Sequence, residues 1–170
     1  MKKFFIGAMA ISFLIILWRG DVRRTSFVPW VVFEEHTFGF HFSCPADTRI
    51  DTFKNAFGCV QKENGWGLGG VRVIPTDAKT ATEWIAEQNT KGDPNGQIVV
   101  LAERDIGGFE AVTTYRINEH EVPIIDPSRW EKTTYVVRNG DLFSIASRFG
   151  SAMDARFLSS FGFLEISELN

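Results

Sequence analysis

The stretch Phe38-Gly39-Phe40-His41-Phe42-Ser43-Cys44-Pro45 places a phenylalanine at every second position. Successive side chains of a strand point to opposite faces, so Phe38, Phe40 and Phe42 share one face, and Gly39, His41 and Ser43 the other. This is the pattern of a strand buried on one side. The chain holds 16 phenylalanines in 170 residues, so the core that receives this face is expected to be aromatic. Hydrophobic residues at 44% and charged residues at 23% fit a globular domain, and the length suits one domain with one core.

Downstream, residues 46–70 are polar and glycine-rich, with a short helix expected from Ile50 to Phe57. Val71 to Ile74 reads as a strand stopped by Pro75. Thr80-Ala81-Thr82-Glu83 is a capping box, and Trp84, Ile85 and Gln88 follow at helical spacing, which predicts a helix over 81–90. Asp93-Pro94-Asn95 marks a turn. Ile98 to Leu101 and Phe109 to Ile117 are further strands about Gly107-Gly108, and residues 119–131 form a polar loop. Thr133 to Val137 and Leu142 to Ala146 flank Asn139-Gly140, a pair suited to the positive φ that a tight hairpin turn demands. Ser151 to Leu158 is a short helix, and Phe161-Gly162-Phe163 a closing strand. The order predicts an α+β domain, an antiparallel sheet with helices packed on it.

The N-terminal part differs in character. Lys2 and Lys3 precede fifteen uncharged, mostly apolar residues, Phe4 to Trp18. As a helix these rise about 22 Å, short of the roughly 30 Å of bilayer hydrocarbon but long for a signal core. The bulky Trp18 stands where a cleavage site needs a small residue, and Trp18-Arg19 suits a headgroup interface. The reading favours a retained signal-anchor over residues 1–24, with a cleaved signal and a secreted domain as the alternative. A linker and first edge segment then occupies 25–37, the domain 38–166 and a tail 167–170.

Residues 1–24 carry Lys2, Lys3, Arg19, Arg23 and Arg24 against Asp21, five positive charges and one negative. The remaining 146 residues hold 13 Lys and Arg (18 − 5) against 20 Asp and Glu (21 − 1), a formal charge of −7. An acidic domain gains nothing from counterion release, so nucleic-acid binding is disfavoured. Cationic residues on both sides of the apolar run leave orientation nearly tied. Cys44 and Cys59 bear on it: either they close a sixteen-residue loop as a disulfide, or they are two buried thiols. The expectation is a disulfide, and hence a domain on the extracytoplasmic side.

Several segments resemble PsbP-like domains, the family of the oxygen-evolving-complex subunit PsbP. Phe38 to Pro45 resembles their opening YGF-x-x-x-YP strand, and Ile106-Gly107-Gly108-Phe109-Glu110-Ala111 their central G-x-x-A strand. Tyr135 to Ser144 is similar to their Y-x-x-x-G-x-x-Y hairpin, and Phe157 to Leu164 to their terminal IL-x-SF-x-F element. The pieces keep the family's order over residues 38–164. The resemblance implies an antiparallel sheet sandwiched by helices and a role in docking onto larger assemblies. Cys44 replaces the family's usual tyrosine, and no lipid-attachment cysteine follows the apolar run.

Sequence candidates for chemistry are few. Gly65-x-Gly67-x-x-Gly70 matches a dinucleotide fingerprint in spelling, but a strand follows it where a helix N-terminus is needed, so no nucleotide site is expected. Glu34, His36, Glu119 and His120 would hold a divalent metal only if the fold brought them together; solvated loop charges are the plainer expectation. His41 lies on the face opposite the phenylalanines. Ser147, Ser159 and Ser160 lack the setting of an activated nucleophile. Trp66 and Trp130, in loops, are candidate partner-binding anchors. The sequence therefore points to a membrane-anchored, exported binding module without cofactor, docking on an envelope or membrane protein through loops 62–70 and 119–131. The alternative is a metal-dependent or hydrolytic envelope enzyme using His36, His120 and nearby carboxylates.

Overall fold

The computed structural model describes residues 29–63, 65, 67–92, 97–117, 132–147 and 151–165. The anchor expected over 1–24, the loop expected over 119–131 with Glu119, His120 and Trp130, the residue Trp66, and the tail expected over 167–170 lie outside the described residues. Among the described residues ten strands and two helices follow in order: β1 (Trp30–Glu35), β2 (Phe40–Pro45), β3 (Thr48–Phe53), β4 (Ala56–Gln61), β5 (Gly67–Pro75), α1 (Ala81–Lys91), β6 (Gln97–Ile106), β7 (Phe109–Ile117), β8 (Lys132–Arg138), β9 (Asp141–Ser147), α2 (Ser151–Ser160) and β10 (Gly162–Phe163).

The strands form two sheets, β1-β2-β10 and β3-β4-β5-β9-β8-β7-β6, antiparallel throughout. The alternation in β2 explains why they stack. Phe40 and Phe42 are fully buried between the sheets, where Phe40 meets Phe57, Phe143 and Phe161 at ring separations of 5.4, 5.7 and 5.8 Å. Phe157 of α2 closes the same core against Phe42 at 5.5 Å. On the other face of the large sheet, Ala81 and Ile85 of α1 pack on Ile98, Val112, Tyr135, Val137 and Leu142. The result is the expected α+β sandwich, with the small sheet and α2 on one side of the large sheet and α1 on the other.

The expected turn and cap form as the sequence indicates. Asn139 (φ 54°) and Gly140 (φ 84°) both take positive φ at the β8–β9 turn. Thr80 caps α1, its hydroxyl accepting the Glu83 amide at 3.1 Å, while the Glu83 carboxylate accepts the amide of Lys79 at 2.6 Å.

Three segments differ from expectation. The helix expected over Ile50 to Phe57 is instead the β3–β4 hairpin, turned at Lys54-Asn55 with Lys54 at φ 53°. Ile50, Phe53 and Phe57 fall at i, i+3 and i+7, which mimics a helical face, whereas burial follows a period of two along β4, with Phe57 and Cys59 inward. Gly67 to Gly70, expected in a loop, begins β5. The strand expected at Ile98 to Leu101 runs on to Ile106, because β6 is an edge on which Glu103, Arg104 and Asp105 stay exposed. The first edge segment expected within 25–37 is β1, which pairs with β2 along its whole length. Trp30 opens β1, with the Arg156 guanidinium 4.7 Å from its ring centroid.

Candidate functional site

The helix α1 covers only part of its side of the large sheet. Leu142 of β9 lies under α1, and by alternation Ser144 and Ala146 point the same way, onto a stretch of sheet that no described helix covers. There β3, β4, β5 and β9 form a concavity of about 600 Å³. Ala56, Val60, Leu68 and Ala146 give its lining apolar groups, and Asp51, Arg72 and Ser144 polar ones. Phe53 stands at its edge, 72% exposed, with the Lys54 ammonium 5.5 Å from the ring centroid.

Glycine makes this surface hollow. A Cβ on Gly70 would sit 2.5 Å from the backbone oxygen of Phe57, and one on Gly58 3.0 Å from that of Gly69. The strands β4 and β5 approach closely there, across a register shift between Cys59 and Val60. Strand glycines of this kind mark close backbone approach and leave no side chain standing over the sheet. Gly67 and Gly70 of the fingerprint-like spelling are thus strand residues, and the strand context rules out a dinucleotide turn at them.

The other sequence candidates are dispersed. Glu34 and His36 approach to 3.7 Å as an exposed pair at the end of β1, away from the concavity's lining. Their expected metal partners, Glu119 and His120, lie outside the described residues, and among the described residues no three His, Cys, Asp or Glu side chains are placed to hold a metal ion. The His41 imidazole packs on Gly162, where a Cβ would come within 2.7 Å of its Cε1. Ser159 and Ser160 donate to helix carbonyls of Arg156 and Phe157, and Ser147 donates to the Asp154 carboxylate. Desolvation by the surrounding chain lowers the Arg104 pKa from its ordinary value although the residue stays exposed at the surface, but β6 is the far edge of the sheet from the concavity. Cys44 of the small sheet and Cys59 of the large one are buried at disulfide distance, with Cα atoms 5.7 Å apart.

A second, smaller feature sits at the opposite end of β9. Arg138 donates to the Gly39 carbonyl at 2.8 Å and to that of Leu164 at 3.5 Å, and lies 4.5 Å from the Phe163 centroid. It joins the β8–β9 hairpin to the small sheet and to the chain that follows β10, and is structural in character.

Among the described residues no helix is long and apolar enough to cross a membrane; the run 4–18 lies outside them. No protein-family model matches the sequence, and no curated protein matches it. Among solved structures, the chain is similar to cyanobacterial PsbP (CyanoP) from Synechocystis sp. PCC 6803, with a TM-score of 0.52 and 13% identity over 85% of this chain and 98% of that one. A protein of Bacteroides thetaiotaomicron aligns less well, with a TM-score of 0.45 and 11% identity over 80% of this chain and about half (49%) of that one. The first likeness shows that the fold is PsbP-like, as the sequence segments had implied.

Proposed function

Taking a PsbP-like fold as the premise, we propose that this chain is a non-catalytic docking module, held at a membrane through residues 4–18, that receives an envelope or membrane protein on the open half of its large sheet. The observation that carries this is the concavity of about 600 Å³, with both apolar and polar residues in its lining and the exposed Phe53 among them. Protein-binding surfaces mix apolar and polar area in this way. The docking role implied by the family resemblance points in the same direction, although a fold alone does not fix a function.

Trp66 belongs to this reading as a candidate partner-binding anchor, because its chain neighbour Gly67 lines the concavity. Trp130 is proposed for the same role on the loop 119–131. An extracytoplasmic location is supported by Cys44 and Cys59 at bonding distance, since such bonds persist outside the cytosol.

The experiment is in-cell cross-linking and pull-down of the full chain beside a Trp66→Ala/Trp130→Ala variant and a Leu68→Glu variant. The reading expects a defined membrane or envelope partner that both variants lose. Retention of the same partner by both would overturn the docking face. Stoichiometric metal on the purified chain, lost on His36→Ala or His120→Ala, would favour the enzyme alternative.

A further inference from the structure

The seven-stranded sheet ends in two edges among the described residues, β6 and β3. Unpaired edges invite further strands, and proteins usually blunt them with bulges, prolines or charges. The β6 edge is blunted: its register shifts between Val100 and Ala102, and Glu103, Arg104 and Asp105 lie exposed on it. The β3 edge, Thr48-Arg49-Ile50-Asp51-Thr52-Phe53, has no proline and pairs with β4 in unbroken register.

Its charges are self-complementary. Arg49 and Asp51 are two residues apart, hence on one face, 3.6 Å from each other, with side chains 59% and 60% exposed. Consider a second copy pairing antiparallel along this edge about a two-fold axis normal to the sheet. The cores of both copies then stay on the same side, and directly opposed residues must share a face, so the residue numbers of each opposed pair sum to an even value. With Ile50 opposite Ile50 of the second copy, Arg49 faces Asp51 of that copy and Asp51 faces its Arg49. Thr48 then meets the second copy's Thr52. A slip of two in either direction sets Asp51 against Asp51, or Arg49 against Arg49. One register alone therefore opposes unlike charges, and opposed unlike charges stabilise a cross-strand pair while like charges destabilise it.

We propose that β3 is a self-pairing edge, through which two copies of this chain join their large sheets in the register centred on Ile50. The contact is isologous and closed, because each edge is used once. It would place the two concavities on the same side of one continuous sheet. A six-residue edge is a small interface, so the association is weak and depends on concentration.

The test uses the full chain in detergent micelles at high concentration. In the proposed register, residues 48 and 52 of opposite copies have Cα atoms about 4.5–5.5 Å apart, within disulfide range. Two copies of residue 48 would be about 13 Å apart along the strand. The native Cys44 and Cys59 are buried against each other and do not compete. Under mild oxidation, a mixture of Thr48→Cys and Thr52→Cys chains should cross-link at least tenfold faster than either alone. Equal rates in the mixture and the separate samples would overturn the register. Independently, Arg49→Asp alone and Asp51→Arg alone should each lose self-association by roughly tenfold, while an equimolar mixture of the two should regain it. Undiminished self-association of either single variant would overturn the charge pairing, and a monomeric parent chain would overturn the proposal as a whole.

Discussion

Replacing Arg138 by methionine tests how the two sheets are held together at the hairpin end of the core. The guanidinium donates to the Gly39 carbonyl at 2.8 Å, and its second bond, to Leu164, is at the 3.5 Å limit and counts for little. A hydrogen bond from a charged donor contributes about 1.5–3 kcal/mol. Contacts with the Phe163 and Phe109 rings, at 4.5 and 5.7 Å, add about 0.5–1 kcal/mol each. Two effects reduce the sum. Methionine keeps much of the aliphatic packing, and the Gly39 carbonyl still accepts the Leu164 amide at 3.0 Å, so no buried acceptor is orphaned. The net expectation is a loss of about 2–3 kcal/mol, or about 5–10 °C in Tm for a chain of this size. Arg138→Lys, which keeps a charge over the rings but loses the fork, should fall about halfway. The assay is thermal unfolding of the full chain in mild detergent, followed by tryptophan fluorescence; Trp84 packs at a tilt against Tyr135, ring centroids 4.7 Å apart, and reports on the intact sandwich. A loss of less than 1 °C for Arg138→Met, or lysine performing as well as arginine, would refute this account of the junction.

Other consequences follow from named contacts. Changing Cys44 and Cys59 together to alanine should cost about 3 kcal/mol on the loop-entropy account; reductant should destabilise the parent chain similarly, and alkylation of both thiols after denaturation without reductant would show that no bond exists in the cell. Gly70→Ala should cost about 1–3 kcal/mol, because its Cβ would lie 2.5 Å from the Phe57 backbone oxygen, and urea unfolding measures this directly. Gly140→Ala at φ 84° should cost about 1–2 kcal/mol, by the same assay, while leaving the concavity unchanged. Thr80→Ala should lower stability by about 1 kcal/mol through loss of the α1 cap.

What could be read from the sequence was local. Phe38 to Phe42 announced a strand and an aromatic core because their spacing is two; Asn139-Gly140 announced its turn because few other pairs adopt positive φ twice. Thr80 and Glu83 announced a helix start, although the Glu83 carboxylate took the Lys79 amide instead of that of Thr80. The β3–β4 hairpin imitates a helix because Ile50, Phe53 and Phe57 fall at helical spacing, whereas the strands turn Ile50 and Phe57 to the core and leave Phe53 exposed. The division into two sheets depends on contacts between residues far apart in sequence, such as Phe40 with Phe143, and no local pattern encodes it. The concavity is harder still to foresee, being a stretch of sheet that α1 leaves uncovered. Its one local sign was the set Gly58, Gly67, Gly69 and Gly70, which had read as loop composition.

Whether the open half of the sheet is a docking face is tested directly by site-specific photo-cross-linking in living cells. A photoreactive side chain at position 68, in the concavity, would be compared with one at position 87, on α1 away from it. The account predicts a discrete cross-linked species from position 68 that is absent from position 87 and is lost on Ala146→Glu in the same concavity. The same species from both positions, or none from position 68 while position 87 captures a partner, would contradict it.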